Sequence, residues 1–129
     1  MVKPHPLIYF NLDEFACPCC GSGAQLMNKD FVYKLDSARG TANIPFVVTS
    51  GWRCPVHNLR VGGSIDSAHL QGLAADIEVK DSMDRWKILR ALVYEGFTRI
   101  GIGPDVIHVD DDDRKPQRVA WLYTMKNGT

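Results

Sequence analysis

Residues 67–79 read SAHLQGLAADIEV and carry the most informative pattern of the chain. The imidazole of His69 is followed seven positions later by the carboxylate of Asp76, and a second imidazole, His108, stands in the distant segment VIHVD at 106–110. Two imidazoles and a carboxylate are ligands that catalytic zinc uses, with a fourth position open for water. The three residues predict a split metal site suited to hydrolysis; ordinary core or surface residues are the alternative, because the spacing alone is loose.

Both segments alternate polar and apolar residues, which is typical of β-strands. Residues 76–79 alternate, so Asp76 is expected at the start of a strand. Residues 107–110 alternate as well, which places His108 and Asp110 on one strand face. Buried polar side chains on such a face need partners, and a metal would supply one. Ser67 is interpreted either as a loop serine or as a hydrogen-bonding partner of the ligands.

Other segments extend the pattern in a fixed order along the chain. They are VTSGWRCPVHN at 48–58, VGG at 61–63, the segment containing His69 and Asp76, and IHVD at 107–110. Together these motifs resemble the D-alanyl-D-alanine carboxypeptidase family of zinc peptidases, from about Phe10 to Tyr123. The similarity is greatest to the short single-domain members that are common in phage and prophage genomes.

The resemblance implies a small α+β domain, in which an antiparallel sheet with flanking helices surrounds a zinc ion. It implies cleavage of peptidoglycan stem peptides, as a D,D-carboxypeptidase or an endopeptidase of the endolysin kind, with His69, Asp76 and His108 as zinc ligands. Arg53 matches the arginine that engages substrate in related enzymes, and a guanidinium fork also fits a carboxylate on physical grounds. Because the fold is similar to that of the hedgehog signalling domain, a non-catalytic zinc-containing binding domain is the alternative function.

Two carboxylates are candidates for the general base. Relatives place an acidic residue or histidine two or three positions before the last ligand, which implies Asp105, although Asp105 follows a Gly-Pro turn pair. Asp110 is the rival because it shares a strand face with His108, and it could act as base, orient the histidine or bond to the backbone. The Glu-x-x-His signature is absent.

The cysteines indicate a second, structural metal site. Cys17 and Cys20 are spaced as a zinc knuckle, and Cys54 with His57 has the same spacing. A disulfide between Cys54 and one of the three amino-terminal cysteines, or reduced thiols, are the alternatives. Synthesis in the cytosol argues against the disulfide.

Length and charge limit the remaining possibilities. The 129 residues fit one zinc peptidase domain over 1–129, with residues 1–15 as an amino-terminal arm. Fifteen basic and fifteen acidic residues cancel, so neither nucleic acid nor membrane is expected as a partner, and the chain is expected to be a monomer that binds a peptidoglycan peptide. No export signal is visible near the start, which predicts cytoplasmic synthesis and action on the cell wall after release or delivery.

The rest of the chain is predicted to be scaffold. Helices are expected over 30–39, ending at Gly40, and over 82–95, with Met83 and Trp86 in the core. Strands are expected over 45–49, 99–102 and 119–123, the last two flanking the His108 strand. The charged run 110–115 is expected to be a solvated turn.

Overall fold

The centre of the protein is a five-stranded sheet, seen in a computed structural model that describes residues 6–123. Its strands are β1 (Val48–Ser50), β2 (Ala74–Glu78), β3 (Arg99–Ile102), β4 (Val106–Asp110) and β5 (Val119–Leu122). They lie in the order β1-β2-β4-β3-β5, and neighbours are antiparallel except β3 and β5, which are parallel. The predicted α+β class is confirmed, but the sheet is mixed rather than antiparallel.

Strand β5 is parallel to β3 because of the path of residues 111–118. These residues cross the Arg99 end of β3 and do not fold back beside β4. Arg99 donates from Nη1 to the carbonyl of Pro116 at 2.6 Å, and the Thr98 hydroxyl donates to Gln117 Oε1 at 2.8 Å. The Val119 amide then donates to the Thr98 carbonyl at 3.0 Å, which starts β5 on the far side of β3. The predicted strand near Val119 therefore exists, but it does not flank the His108 strand.

Three α-helices accompany the sheet: α1 (Lys29–Ala42), α2 (Pro55–Arg60) and α3 (Ser82–Tyr94). Short 3-10 helices cover Leu12–Phe15, Ala24–Leu26 and Ala68–Gln71. Helix α1 begins where the Asn28 side chain accepts a hydrogen bond from the Phe31 amide. It passes the predicted end at Gly40 because Asn43, with φ of 58°, supplies the left-handed residue that ends it. Gly40 instead makes room for Tyr9, whose Cε2 would lie 2.9 Å from an added Cβ.

The core lies between the helices and one face of the sheet. The sheet contributes Ala75 and Ile77 from β2 and Ile107 and Val109 from β4, all fully buried. The helices contribute the buried side chains Phe31, Leu35, Ile88 and Leu92. Alternation along β2 and β4 therefore turns Asp76, His108 and Asp110 to the opposite face.

Helix α3 begins and ends close to the predicted bounds, but its buried stripe differs from the prediction. Met83 and Trp86 are 66% and 63% exposed, so their assignment to the core is wrong. Apolar residues lie around most of α3, but only the stripe of Ile88, Ala91 and Leu92 is buried.

The amino-terminal segment is fastened to α1. The amides of Ile8, Tyr9 and Phe10 all donate to the buried carboxylate of Asp36, at 2.9–3.1 Å. Phe10 and the following Phe15 are buried in the core. Residues 6–15 of the predicted arm therefore pack against the rest of the domain. Residues 1–5 of the arm lie outside the described range.

The acidic run 110–115 is not a solvated turn. Asp110 ends β4 and is 2% exposed, and Asp112 is fully buried. Both Asp112 oxygens accept hydrogen bonds from Arg114, from Nε at 2.8 Å and Nη2 at 2.7 Å.

Within residues 6–123, no helix has the length and apolar character needed to cross a membrane.

Candidate metal centre

Three polar side chains converge on the sheet face that the helices leave uncovered. Asp76 in β2 and His108 in β4 are direct cross-strand partners. His69 is carried by the 3-10 helix Ala68–Gln71, and Gly72 ends that helix with φ of 70°. This turn leads the chain from His69 into β2. The local fold therefore positions both His69 and Asp76 of the SAHLQGLAAD motif.

The ligand atoms are close enough to share one ion. His108 Nδ1 lies 3.0 Å and His69 Nε2 lies 3.3 Å from Asp76 Oδ1, and one ligand atom from each residue lies within 4.8 Å of the others. Nitrogen and oxygen ligands about 2.0–2.2 Å from a tetrahedral zinc ion would be about 3.4 Å apart. The cluster therefore has the donor set and the spacing of a three-ligand zinc site.

His69 Nε2 provides independent evidence for a metal site. It is a buried side-chain atom without a hydrogen-bond partner, and its contact with Asp76 lacks hydrogen-bond geometry. A buried polar nitrogen without a partner is costly, and a metal ion would satisfy it. The residues present thus fit a zinc ion.

Each imidazole is oriented through its other ring nitrogen. His69 Nδ1 lies 2.8 Å from the Gly51 carbonyl, so it donates there and leaves the lone pair of Nε2 for a metal. His108 Nε2 lies 2.7 Å from Asp110 Oδ2, which leaves Nδ1 for the metal. Metal-binding histidines commonly use their second nitrogen in this way.

Burial and mutual charge tune the three groups. Burial lowers the pKa of His69, which favours the neutral form that binds metals. Burial opposes ionisation of Asp76, but His69 and His108 outweigh it and hold its pKa well below the usual range. Burial also disfavours charging of His108, yet its hydrogen bonds to Asp110 and Asp76 raise its pKa above the ordinary value.

Arg53 lies beside the metal ligands rather than in solvent. Its guanidinium is 4% exposed and donates to Asp76 Oδ2, Ser50 Oγ and Asn58 Oδ1 at 3.0–3.2 Å. Burial lowers its pKa, and the Asp76 carboxylate opposes that shift. Arg53 therefore holds the second oxygen of Asp76 while it lines the cleft above the three ligands.

This cleft has a volume of about 220 Å³ and is lined by the predicted site residues Arg53, Ser67, His69, Asp76, His108 and Asp110. Ser67 also caps the helix that carries His69, since its hydroxyl accepts a hydrogen bond from the His69 amide at 3.2 Å. Asp110 uses both oxygens: Oδ2 faces His108, and Oδ1 accepts from Arg99 Nε at 2.7 Å and from the Asp112 amide at 3.0 Å.

The structure does not bring Asp105 to the cleft. Asp105 precedes β4 and lines a separate depression with Thr49, Glu78 and Lys80. Asp105 lies just before β4, three positions from His108, which corresponds to about 10 Å of extended chain. Closeness to His108 in sequence therefore does not translate into closeness in space.

Among the cleft residues that were not anticipated from sequence are Arg99, Lys115, Trp121 and Tyr123. The row Asp76–His108–Gly101–Trp121 runs across four strands, and the Trp121 and His108 rings lie 5.6 Å apart. A Cβ on Gly101 would lie 2.5 Å from Tyr123 Cε2 and 2.6 Å from Trp121 Nε1. The available signal was a glycine within a strand, which often marks close approach of another group.

The cysteines form a second cluster, but its members differ from the predicted set. One sulfur from each of Cys17, Cys19, Cys20 and Cys54 lies within 4.8 Å of the others. His57 is not a member; its backbone amide, not its ring, lies 3.4 Å from Cys54 Sγ. Cys54 is the N-cap of α2, and its sulfur faces the first turn of that helix rather than the His57 ring.

Comparison with known proteins agrees with this geometry. A search of the curated proteins gave no significant match. The model of the Peptidase M15 family matches residues 8–110, which include all three metal-site residues and most of the chain. M15 peptidases are zinc-dependent metallopeptidases, and the His69, Asp76 and His108 cluster fits that chemistry. The chain therefore belongs to the peptidase M15 family.

Proposed function

We propose that this M15 peptidase hydrolyses peptidoglycan stem peptides, as a D,D-carboxypeptidase or an endopeptidase of the phage endolysin kind. The supporting observation is the buried His69 Nε2 without a hydrogen-bond partner, beside Asp76 and His108 in an open cleft. The resemblance of the ordered motifs to the D-alanyl-D-alanine carboxypeptidases supports the choice of substrate.

The metal-binding role falls on His69, Asp76 and His108. When bound there, zinc would supply Lewis-acid chemistry, polarising a carbonyl and making water nucleophilic near neutral pH. The Gly51 carbonyl and Asp110 fix the two imidazoles, so the ligand atoms need little reorganisation.

Cationic side chains suit the cleft to a peptide that carries carboxylates. Arg53, Arg99 and Lys115 all line it, and stem peptides end in a carboxylate that a guanidinium binds well. Arg53 would engage substrate with the donors not used by Asp76, Ser50 and Asn58. The buried Ser67 in the cleft lining would donate to a peptide carbonyl, and Trp121 with Tyr123 would form the apolar wall.

We propose that Asp110, rather than Asp105, is the carboxylate that supports hydrolysis. Of the carboxylates among residues 6–123, only Asp76 and Asp110 line the cleft. Asp110 accepts a hydrogen bond from His108 Nε2 at 2.7 Å, so it would hold the proton on that nitrogen and keep Nδ1 free for the metal.

A non-catalytic binding domain is the second candidate, and one observation favours it. Both Asp110 oxygens are already hydrogen-bonded, so no free carboxylate faces the cleft in the described part of the chain. Such a domain would bind zinc and stem peptides without cleaving them.

The deciding experiment digests purified peptidoglycan and a synthetic stem peptide and identifies the fragments by mass spectrometry, with zinc content measured on the same sample. We expect cleavage that chelation stops and zinc restores. His69→Ala should lose the cleft metal and the cleavage, whereas His57→Ala, which alters a histidine outside the cleft, should keep both. Cleavage by His69→Ala at the parent rate would remove this site from the mechanism, and zinc-dependent binding without cleavage by the parent would establish the second candidate.

The same assay separates the two carboxylates. Asp105→Ala should leave the rate unchanged, and Asp110→Ala should lower it by about 10–100-fold. The opposite ranking would favour Asp105 as the general base.

We further propose that the chain works as a monomer, without nucleic acid or membrane partners, and reaches the wall after cytoplasmic synthesis by release or delivery. Because the formal net charge is zero, we expect little electrostatic attraction between this chain and polyanions. Light scattering of the purified chain, with and without added DNA, tests the monomer and the absence of binding.

A further inference from the structure

All four cysteines of the chain lie in one place, away from the cleft ligands. Cys17, Cys19 and Cys20 belong to the turn after the first 3-10 helix, and Cys54 immediately follows Arg53. None is in a disulfide. We propose that these four thiols bind a structural zinc ion and thereby fasten the amino-terminal segment to the loop that carries Arg53.

The distances between sulfurs suit a shared ion. In a tetrahedral site with Zn–S bonds of about 2.3 Å, the sulfurs lie about 3.8 Å apart. Cys17 Sγ and Cys19 Sγ are 3.7 Å apart, Cys19 Sγ and Cys54 Sγ are 3.2 Å apart, and every pair in the cluster falls within 4.8 Å. Four donors at this spacing form a closed structural site, in contrast to the three-ligand centre in the cleft.

The backbone around the sulfurs is arranged as a metal-binding turn. The Cys17 amide donates to the Ser22 carbonyl at 2.8 Å, and the Gly21 amide donates back to the Cys17 carbonyl at 2.7 Å. Gly21 has φ of 64°, which lets the chain close this turn between ligands. The Cys54 amide points at Cys17 Sγ, and the His57 amide points at Cys54 Sγ, at 3.5 and 3.4 Å. Such amide donors stabilise metal-bound thiolates.

The position of the cluster explains what the ion would do. The Trp52 amide donates to the Phe15 carbonyl at 2.8 Å, and the Arg53 amide donates to the His69 carbonyl at 3.2 Å. The loop between Gly51 and Cys54 therefore connects the amino-terminal segment to the metal centre. An ion bound by Cys54 and the Cys17–Cys20 turn would hold the Arg53 backbone in register with His69, which makes the cysteines positioning residues.

Cobalt titration of the metal-free, reduced full chain tests the proposal independently of peptidase activity. We expect two metal ions per parent chain, with thiolate-to-cobalt charge-transfer absorption in the near ultraviolet. In His69→Ala, one ion and the thiolate absorption should remain. Cys19→Ser should lose the thiolate-bound ion, Cys19→His should retain it with a shifted spectrum, and His57→Ala should match the parent.

The opposite pattern overturns the proposal. A parent without thiolate absorption, or a His57→Ala variant that loses it while Cys19→Ser keeps it, would refute this ligand set. If Cys19→Ser does not fold, maleimide labelling of the parent decides: the four thiols should be protected by metal and should react after chelation. Labelling that metal does not change would refute the site. Purification of the chain without added reductant and with fewer than four reactive thiols, because a disulfide had formed, would refute it as well.

Discussion

Replacing Asp110 with asparagine tests whether this carboxylate orients the metal-binding His108. Three donors point at its two oxygens: His108 Nε2 at 2.7 Å faces Oδ2, and Arg99 Nε at 2.7 Å and the Asp112 amide at 3.0 Å face Oδ1. An asparagine amide offers one acceptor oxygen and one NH₂ group, so in either flip it sets a donor against donors.

The size of the effect follows from that mismatch. Loss of a hydrogen-bonding partner of a metal-bound histidine typically costs 10–100-fold in metal affinity, or about 1.4–2.7 kcal/mol. If the asparagine oxygen turns to Arg99, His108 loses its acceptor and the affinity of the cleft for zinc falls. If the oxygen turns to His108, the buried guanidinium faces the NH₂ group, and the free energy of unfolding should fall by about 2 kcal/mol.

Two measurements together check this prediction: zinc affinity of the cleft by competition with a fluorescent chelator, and the free energy of unfolding by urea titration. The zinc bound by the thiols should be measured in His69→Ala, which keeps all four cysteines, and subtracted. The control is Asp113→Asn, an exposed member of the same acidic run. An Asp110→Asn chain with parental zinc affinity and parental stability would refute the orienting role.

Two further substitutions probe the supports of the site. Gly51→Ala should lower the free energy of unfolding by about 1–3 kcal/mol and shift the thermal midpoint down by several degrees, because the added Cβ would lie 2.6 Å from Phe15 Cα and 2.7 Å from its carbonyl oxygen; an unchanged midpoint would contradict the packing. Asp112→Asn should cost about 1 kcal/mol at pH 7, since its hydrogen bonds with Arg114 hold the pKa of Asp112 below its usual range and Arg114 is half-exposed. That stabilisation is present above the unfolded pKa of about 3.9 and is lost as the pH falls through the folded pKa, so the difference between parent and variant in urea titrations should shrink below about pH 4. A difference that is constant from pH 7 to pH 3 would count against the charge pair.

The local parts of the site were predictable because they depend on short-range patterns. Alternation along residues 107–110 placed His108 and Asp110 on one face, and their side chains are hydrogen-bonded there. The helix over 82–95 was readable from its apolar spacing and the following Gly96, which has φ of 93°. Such features involve residues within one or two turns of each other.

The failures concern contacts that only the assembled sheet creates. Trp121 enters the cleft because β5 lies parallel to β3, and that placement depends on the path of residues 111–118. Cys19 joins the cysteine cluster because the turn over residues 17–22 brings its sulfur to 3.2 Å from that of Cys54. The catalytic assignment of Asp105 stays a prediction; its spacing from His108 along the chain does not show that it lines a separate depression.

The direct pairing of Asp76 with His108 across β2 and β4 makes the alignment of these strands a condition for metal binding. A shift of one residue would send either the imidazole or the carboxylate into the apolar layer beneath the helices. Molecules with misaligned strands would therefore lack the centre altogether, and added metal would draw the population toward the correctly aligned form. Metal uptake during refolding can thus serve as a direct readout of strand alignment in this protein.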